Sequence, residues 1–133
     1  MDTRSKIISL EQAGQLAAPL RAEGRRLIVA AGCFDVLQAA HARFLGSLRA
    51  DGASLLVVVY DDPSLCRLLG QTQPLLAEQA RAQMVAALGA VDYVLIWGQP
   101  DLDPLLELLQ PDQVERNTPG ERNIIGEVLE RHR

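Results

Sequence analysis

The fold is decided by residues 27–45, which read LIVAAGCFDVLQAAHARFL. Residues 27–31 are apolar without interruption and lie between two arginines and a glycine, which is typical of a strand buried on both faces. A turn at residues 32–38 and a helical stretch at residues 39–50 follow directly. A strand, a tight turn and a helix in this order predict the first half of a parallel βαβ unit.

The rest of the chain alternates between helix and strand signals in the same way. The segment SLEQ at residues 9–12 has the form of a capping box, and it predicts a helix that ends near Gly24, with Pro19 as a kink or early stop. We therefore expect an α/β fold, a Rossmann-like three-layer α/β/α domain over residues 1–133 with a parallel sheet of four to five strands. The further elements expected are strands at 55–60, 91–97 and 111–114, helices at 78–88, 103–109 and 121–131, a strand break at 61–63 and an exposed loop at 70–74.

The composition excludes several classes of protein. Hydrophobic residues make up 48% of the chain and charged residues 23%, a balance that excludes intrinsic disorder. The formal net charge of −4 argues against nucleic acid or an anionic membrane as a partner, and no apolar run is long enough to span a bilayer. The two cysteines, Cys33 and Cys66, form no CxxC pair, which favours reduced thiols and a cytoplasmic location.

The turn after the first strand is the place where a ligand is expected. Ligands of open α/β sheets bind outside the carboxyl ends of the strands, where the strand order reverses. Gly32 lets the backbone turn sharply, and a helix that starts near Gln38 directs free N–H groups and a positive dipole end into that crevice. His41 lies three residues further on, on the same face as Gln38. This arrangement fits a nucleotide phosphate; the alternative is a tight turn whose first helical turn is merely solvated.

The turn resembles the signature GxFDxxHxGH of the cytidylyltransferase-like nucleotidyltransferases, in particular the adenylyltransferase domain of bacterial ADP-heptose synthases. Further segments resemble that family in the same order along the chain. They are DDPS at 61–64 (the segment after a strand), LLGQTQPL at 68–75 (the loop LKGxxRPI), ARAQMVAAL at 80–88 (the helix RxxxLxAL), VDYV at 91–94 (the strand VDxV) and LQPD at 109–112 (the turn LxPD).

The resemblance implies a reaction and a set of site residues. Members of this family transfer AMP or CMP from ATP or CTP, with Mg²⁺, to a phosphorylated sugar or alcohol and release pyrophosphate. The signature histidines donate to phosphate oxygens, and their positions here hold Gln38 and His41, the implied catalytic residues. The resemblance implies no metal ligand from the protein. It implies nucleotide contacts from Gly32, Cys33, Phe34, Asp35 and Arg81, and a possible substrate contact from Asp61.

The chain departs from the family pattern where charge is needed. Gln38 replaces the first histidine, and uncharged side chains replace the loop lysine and arginine at Leu69 and Gln73. Ala40 replaces the glycine between the histidines, ERNTP at 115–119 replaces KGGDY, and the later Ser/Thr-rich motif is missing before residue 133. We therefore expect a weak or inactive nucleotidyltransferase. The alternatives are a nucleotide- or metabolite-binding module without turnover and an interaction protein, such as a homodimer or a dimerising partner of an active relative.

Each retained residue also has a purely structural interpretation. Asp35 is equally compatible with an Asx-turn or helix N-cap, and His41 with a solvated or capping histidine. Arg81 fits a surface or interface ion pair. The remaining alternatives are core packing for Phe34, a packing residue rather than a nucleophile for Cys33, and a strand-end hydrogen-bond acceptor for Asp92.

Overall fold

A parallel sheet of four strands carries the fold. The computed structural model describes residues 2–49 and 52–116. Neighbouring strands are all parallel, with Ile28 opposite Leu55 and Val57 opposite Val94, so the predicted Rossmann-like sheet is confirmed. The strands are β1 (Arg26–Gly32), β2 (Ala53–Tyr60), β3 (Tyr93–Trp97) and β4 (Gln113–Glu115), in the spatial order β3-β2-β1-β4.

Helices cover both faces of this sheet and give the predicted three layers. One face packs against α1 (Leu10–Gly14), α2 (Ala17–Ala22), α4 (Asp62–Leu69) and α6 (Asp103–Leu109), and the other against α3 (Ala39–Leu48) and α5 (Glu78–Ala86). Successive residues of β1 alternate between the two cores: Leu27 and Val29 lie in the first, Ile28 and Ala30 in the second. This double burial is the reason why the strands are uninterrupted apolar runs.

The N-terminal segment forms two short helices where the sequence predicted one. The capping box is confirmed, because the backbone N–H of Gln12 donates to Ser9 Oγ (3.2 Å) and that of Ser9 donates to Gln12 Oε1 (2.8 Å). Helix α1 ends at Gly14, and α2 contains Pro19 in its first turn. Proline has no N–H group, so it is tolerated there but not further inside a helix. The single helix predicted from residue 9 to Gly24 is therefore wrong.

The predicted strand break at residues 61–63 is the start of helix α4. Asp61 is its N-cap residue, and its side chain accepts the backbone N–H of Ser64 (2.9 Å). Pro63 stands in the first turn, where its missing N–H costs nothing. The helix ends at Gly70, which has a left-handed backbone with φ 67°. Aspartate followed by proline is typical of a helix start as well as of a strand end, and only the strand end was predicted here.

Two aspartates fix the amino ends of the central strands. The Asp92 carboxylate accepts the backbone N–H of Leu55 (2.8 Å) and lies 3.2 Å from the guanidinium of Arg49. The Asp112 carboxylate accepts the backbone N–H of Leu27 in the same way (2.8 Å). The predicted strand-end role of Asp92 is confirmed. These bonds lie at the opposite edge of the sheet from the turn that follows β1.

The helix predicted at 121–131 and the end of the segment ERNTP lie outside the described residues. Within residues 2–49 and 52–116, no helix has the length and the hydropathy to cross a membrane.

Candidate functional site

The turn that follows β1 lies where the strand order of the sheet reverses. Strand β1 has β2 on one side and β4 on the other, so its carboxyl end borders the crevice expected for a ligand. The strand continues through Gly32, and the left-handed residue of the turn is Phe34, with φ 52°. The expectation that Gly32 supplies the sharp turn is thus wrong. A bulky residue in this conformation is strained, and such strain is concentrated at functional sites.

His41 lies in the first turn of α3 and is 1% exposed. Its Nδ1 accepts the backbone N–H of Gln38 (2.9 Å), so the ring proton is on Nε2. The ring meets that of Phe34 edge-on, with centroids 5.4 Å apart. Burial lowers the pKa of the His41 imidazole. Nε2 is buried and has no hydrogen-bond partner among the described residues.

Gln38 is the N-cap residue of α3 and lies beside His41, as the spacing predicted. Its backbone is extended, its side chain is half-buried, and its carbonyl accepts the backbone N–H of His41 (3.0 Å). Helix α3 has ten residues, and its positive end faces the carboxyl edge of the sheet. The structure therefore combines a helix N-terminus and a buried imidazole N–H at one place. The capping interpretation of His41 is confirmed, and the solvated one is wrong.

Asp35 holds a distant loop instead of capping its own turn. The carboxylate is buried and accepts the backbone N–H groups of Leu75 (2.8 Å) and Leu76 (3.0 Å). It also accepts from the Gln71 side chain (Nε2 to Oδ2, 3.0 Å). These partners lie 36 to 41 residues away, so the Asx-turn and N-cap interpretations are wrong. The predicted exposed loop at 70–74 is correct for Gly70, Thr72 and Gln73. It is wrong for Gln71, which is buried by this contact, and Pro74 is half-buried.

Arg81 is completely buried and joins the ends of two strands to the same loop. Its Nη1 donates to the carbonyl oxygens of Cys33 and Tyr60, both at 2.7 Å. Its Nε donates to the Leu76 carbonyl (2.9 Å), and Nη2 forms an ion pair with Asp62 (2.7 Å). The predicted surface or interface ion pair is wrong because the guanidinium is 0% exposed. Its nucleotide contact stays a prediction, and Arg81 positions the site by holding its backbone.

The remaining predicted residues surround this centre or pack beneath it. Cys33 and Phe34 belong to the two cores on either side of the sheet, which confirms their packing interpretation. Asp61 is half-buried at the end of β2, where its second carboxylate oxygen lies close to Gly98. At the two positions where the family pattern has cations, Leu69 packs against the core and Gln73 is exposed. Within residues 2–49 and 52–116, no three His, Cys, Asp or Glu side chains are grouped to hold a metal ion.

Comparison with known proteins assigns the chain to a family. Residues 29–125 match the model described as cytidylyltransferase-like, which is most of the chain. The chain belongs to the cytidylyltransferase-like family. The resemblance drawn from the turn and its flanking segments is thereby confirmed.

Two curated relatives are similar in sequence to most of the chain. The chain is 38% identical over 106 residues to the "Bifunctional protein HldE" of Ectopseudomonas mendocina, covering 80% of this chain and 22% of that protein. It is 36% identical over 132 residues to the HldE protein of Geotalea uraniireducens, covering 97% and 27%. The chain thus spans about a quarter of the length of these relatives.

A solved structure supports the fold as well. It is the crystal structure of the lipopolysaccharide core biosynthesis protein from Thermoplasma volcanium, with a TM-score of 0.61 and 26% sequence identity. The likeness covers 67% of this chain and 71% of that one. The family match and this structure agree on a cytidylyltransferase-like α/β fold.

Two residues of the site, Gln71 and Asp62, were not predicted from the sequence. The position of Asp62 directly after a strand is a signal that was available, because the carboxyl end of β2 lies beside that of β1. Gln71 gives no such signal, since a polar residue between Gly70 and Pro74 is typical of an exposed turn.

Proposed function

We propose that the chain binds a nucleoside triphosphate through its phosphates at the first turn of α3, and that it transfers the nucleotidyl group weakly or not at all. Membership of the cytidylyltransferase-like family supports the ligand class. The observation that carries the proposal is the buried Nε2–H of His41, which has no acceptor within residues 2–49 and 52–116. A buried donor at a helix N-terminus is suited to a phosphate oxygen.

The weak catalysis follows from the charge of the site. His41 is neutral near pH 7 because burial lowers its pKa, so it offers a hydrogen bond and no positive charge. Arg81 already donates four hydrogen bonds inside the protein. Gln38, Leu69 and Gln73 carry no charge either. Charge that develops on a triphosphate during in-line displacement is therefore poorly compensated.

The missing positive charge should slow the transfer step by several orders of magnitude. Each charge-assisted contact to a phosphate contributes about 1.5–3 kcal/mol. Two missing contacts and one weakened donor together reduce the stabilisation of the transition state by roughly 4–8 kcal/mol. This is a simple sum, and contacts between neighbours are not strictly additive. This range corresponds to about 10³- to 10⁶-fold in rate. A chain that still folds and binds nucleotide would then turn over barely or not at all.

Magnesium fits this site only together with the nucleotide. The described residues form no cluster of three ligands, and both oxygens of Asp35 already accept backbone or amide donors. Mg²⁺ commonly binds proteins through one or two carboxylates and the phosphates of the substrate. When bound in that way, it would neutralise phosphate charge. The residues of this chain supply the N–H donors and the fixed backbone.

A restoration series tests the proposal. The triple variant Gln38→His, Leu69→Lys and Gln73→Arg should release pyrophosphate from ATP or CTP, in the presence of Mg²⁺ and a sugar 1-phosphate, at least ~10³-fold faster than the natural chain. The matched control carries Gln38→His with Leu68→Lys and Gln79→Arg, which puts the same charges at neighbouring exposed positions. This control should remain slow.

Two outcomes would contradict the proposal. Turnover by the natural chain near 10 s⁻¹, a median value for enzymes, would show that catalysis is intact. Failure of both ATP and CTP to bind in calorimetric titration would remove the nucleotide site itself. Binding without turnover supports a nucleotide-binding module. A phosphorylated sugar or alcohol as acceptor, a cytoplasmic location and a homodimer stay predictions, because no contact in the described residues bears on them.

A further inference from the structure

Gln71 is a buried amide in the loop between α4 and α5. The residue is 9% exposed, although the next two residues of the loop are exposed. Its Nε2 donates to Asp35 Oδ2 (3.0 Å) and to the carbonyl oxygen of Gln73 (2.8 Å). Both of these partners are acceptors, so the amide can face them only with its nitrogen. The orientation of the Gln71 amide is therefore fixed by its neighbours.

The other end of the amide, Oε1, is consequently turned away from Asp35. It is buried and receives no hydrogen bond from any residue of the described ranges. In those ranges only one other buried side-chain atom lacks a partner, the Nε2 of His41. Unpaired buried polar atoms are unfavourable and rare in native proteins, so each one needs an explanation.

The two unpaired atoms belong to side chains that contact consecutive residues of one turn. His41 packs its ring against Phe34, and Gln71 binds the carboxylate of Asp35. The two atoms are chemically complementary, because Nε2–H can only donate and Oε1 can only accept. A single bound molecule would satisfy both if it carried an acceptor and a donor. Both atoms are covered by protein, so neighbouring side chains must shift when that molecule enters.

We infer that Gln71 Oε1 binds an uncharged donor, an O–H or N–H group, of the molecule whose phosphate reaches His41; this inference rests on the proposed function. A phosphate oxygen cannot occupy the Gln71 position, since two acceptors repel each other. The loop also carries no cation at Leu69, Gln71 or Gln73. The 70–77 loop thus contacts the uncharged, hydroxyl- or amine-bearing part of the ligand, and α3 contacts its phosphates.

Ligand analogues that lack one donor test this inference, with affinities measured by calorimetric titration. In the first arm, the natural chain is titrated with ATP and with 2′,3′-dideoxy-ATP, which lacks the ribose hydroxyls. In the second arm, ATP is compared with purine riboside triphosphate, which lacks the base amine. A third arm compares a hexose 1-phosphate with inorganic phosphate in the presence of ATP. We expect a roughly 5- to 100-fold loss of affinity in one arm, the range for leaving a buried acceptor unpaired. The arm that responds identifies the source of the donor.

The variant Gln71→Met separates a ligand contact from a structural effect. Methionine has a similar length but no amide, so the discrimination in the responding arm should disappear. Both oxygens of Asp35 keep the backbone N–H donors of Leu75 and Leu76, so the loop stays anchored and the affinity for tripolyphosphate should stay within twofold. The control Thr72→Val, at an exposed position of the same loop, should keep the discrimination. The analogue series on the natural chain remains decisive if Gln71→Met does not fold.

The possible failures are distinguishable. If tripolyphosphate and ATP bind but no arm discriminates, or if Gln71→Met weakens every ligand equally, the inference about Gln71 is overturned and the proposed phosphate site stands. If neither tripolyphosphate nor any nucleotide binds, both are overturned.

Discussion

His41 owes its orientation to two neighbours that leave it little freedom. The backbone N–H of Gln38 donates to Nδ1, and the ring of Phe34 packs edge-on against the imidazole at a centroid distance of 5.4 Å. Phe34 itself is 1% exposed and has a left-handed backbone, which costs a non-glycine residue about 1 kcal/mol or more. The surrounding core compensates for this strain. The result is an imidazole whose only available donor is Nε2–H.

The buried imidazole predicts a specific loss of stability in mild acid. The pKa of His41 is lowered by burial from its ordinary value of 6.5, so the unfolded chain takes up a proton near pH 6.5 and the folded chain only at lower pH. Below that pH the unfolded state binds more protons, and the free energy of unfolding falls by up to ~1.4 kcal/mol per pH unit until the folded pKa is reached. Above about pH 7.5 this contribution is constant.

Urea unfolding at pH 7.5 and pH 5.5 measures this contribution through the variant His41→Gln. Glutamine at the third position of a helix can accept the same backbone N–H, so the cap is preserved while the titration is removed. The variant should lose less stability between the two pH values than the natural chain. The control His132→Gln changes the other histidine. An equal pH dependence in His41→Gln and the natural chain would rule out His41 as the source.

At the scale of elements, the strands were predictable from the sequence because burial on both faces leaves a continuous apolar run. Residues 27–31 and 55–60 illustrate this, and both became strands. Most of the helices were predicted as well. Helix α4 was not predicted, because its short sequence starts with DDPS, which reads equally as a strand stop. The sequence correctly placed Gln38 beside His41 at the start of a helix, because the spacing of these two residues is local. The structural contacts of Asp35 and Arg81 were not predicted, because most of their partners lie 19 to 48 residues away in sequence. The nucleotide contacts of both residues stay predictions.

Two glycines in or beside helices predict opposite effects of the same substitution. Gly70 ends α4 with φ 67°, so Gly70→Ala should lower the free energy of unfolding by about 1–2 kcal/mol. Gly46 lies in α3, is exposed, and has no atom near the place of an added Cβ. Gly46→Ala should therefore raise the same free energy by about 0.5–1 kcal/mol. Urea denaturation measures both. A neutral Gly70→Ala variant would contradict the assigned end of α4.

At the scale of the whole molecule, the two edges of the sheet are fixed by different chemistry. At the amino edge, the aspartates 92 and 112 accept backbone N–H groups of neighbouring strands. At the carboxyl edge, Arg81 donates to the strand-end carbonyls of Cys33 and Tyr60. It also reaches Leu76 in the loop. One buried cation thus connects β1, β2, α4 and α5 around the proposed site, and its removal should affect the fold and ligand binding together.

The variant Arg81→Met tests this central role. It leaves three buried carbonyl groups and the Asp62 carboxylate without their donor, so the free energy of unfolding should fall by about 3–5 kcal/mol. Domains of this size are typically stable by about 5–15 kcal/mol, so a loss of this size leaves a domain near the middle of that range folded at 25 °C with a much lower denaturation midpoint. Arg81→Lys keeps one charge but not the planar fork, and it should be intermediate.

The control for this series is Arg43→Met, which removes an exposed arginine of α3 and should change stability by no more than about 0.5 kcal/mol. Nucleotide affinity, measured in parallel at a temperature where every variant is folded, should fall in Arg81→Met, because the backbone of residues 33–35 and the 70–77 loop lose their common anchor. If Arg81→Met were as stable as Arg43→Met, the buried guanidinium would not hold the carboxyl edge together, and the geometry of the site would have to depend on Asp35 alone.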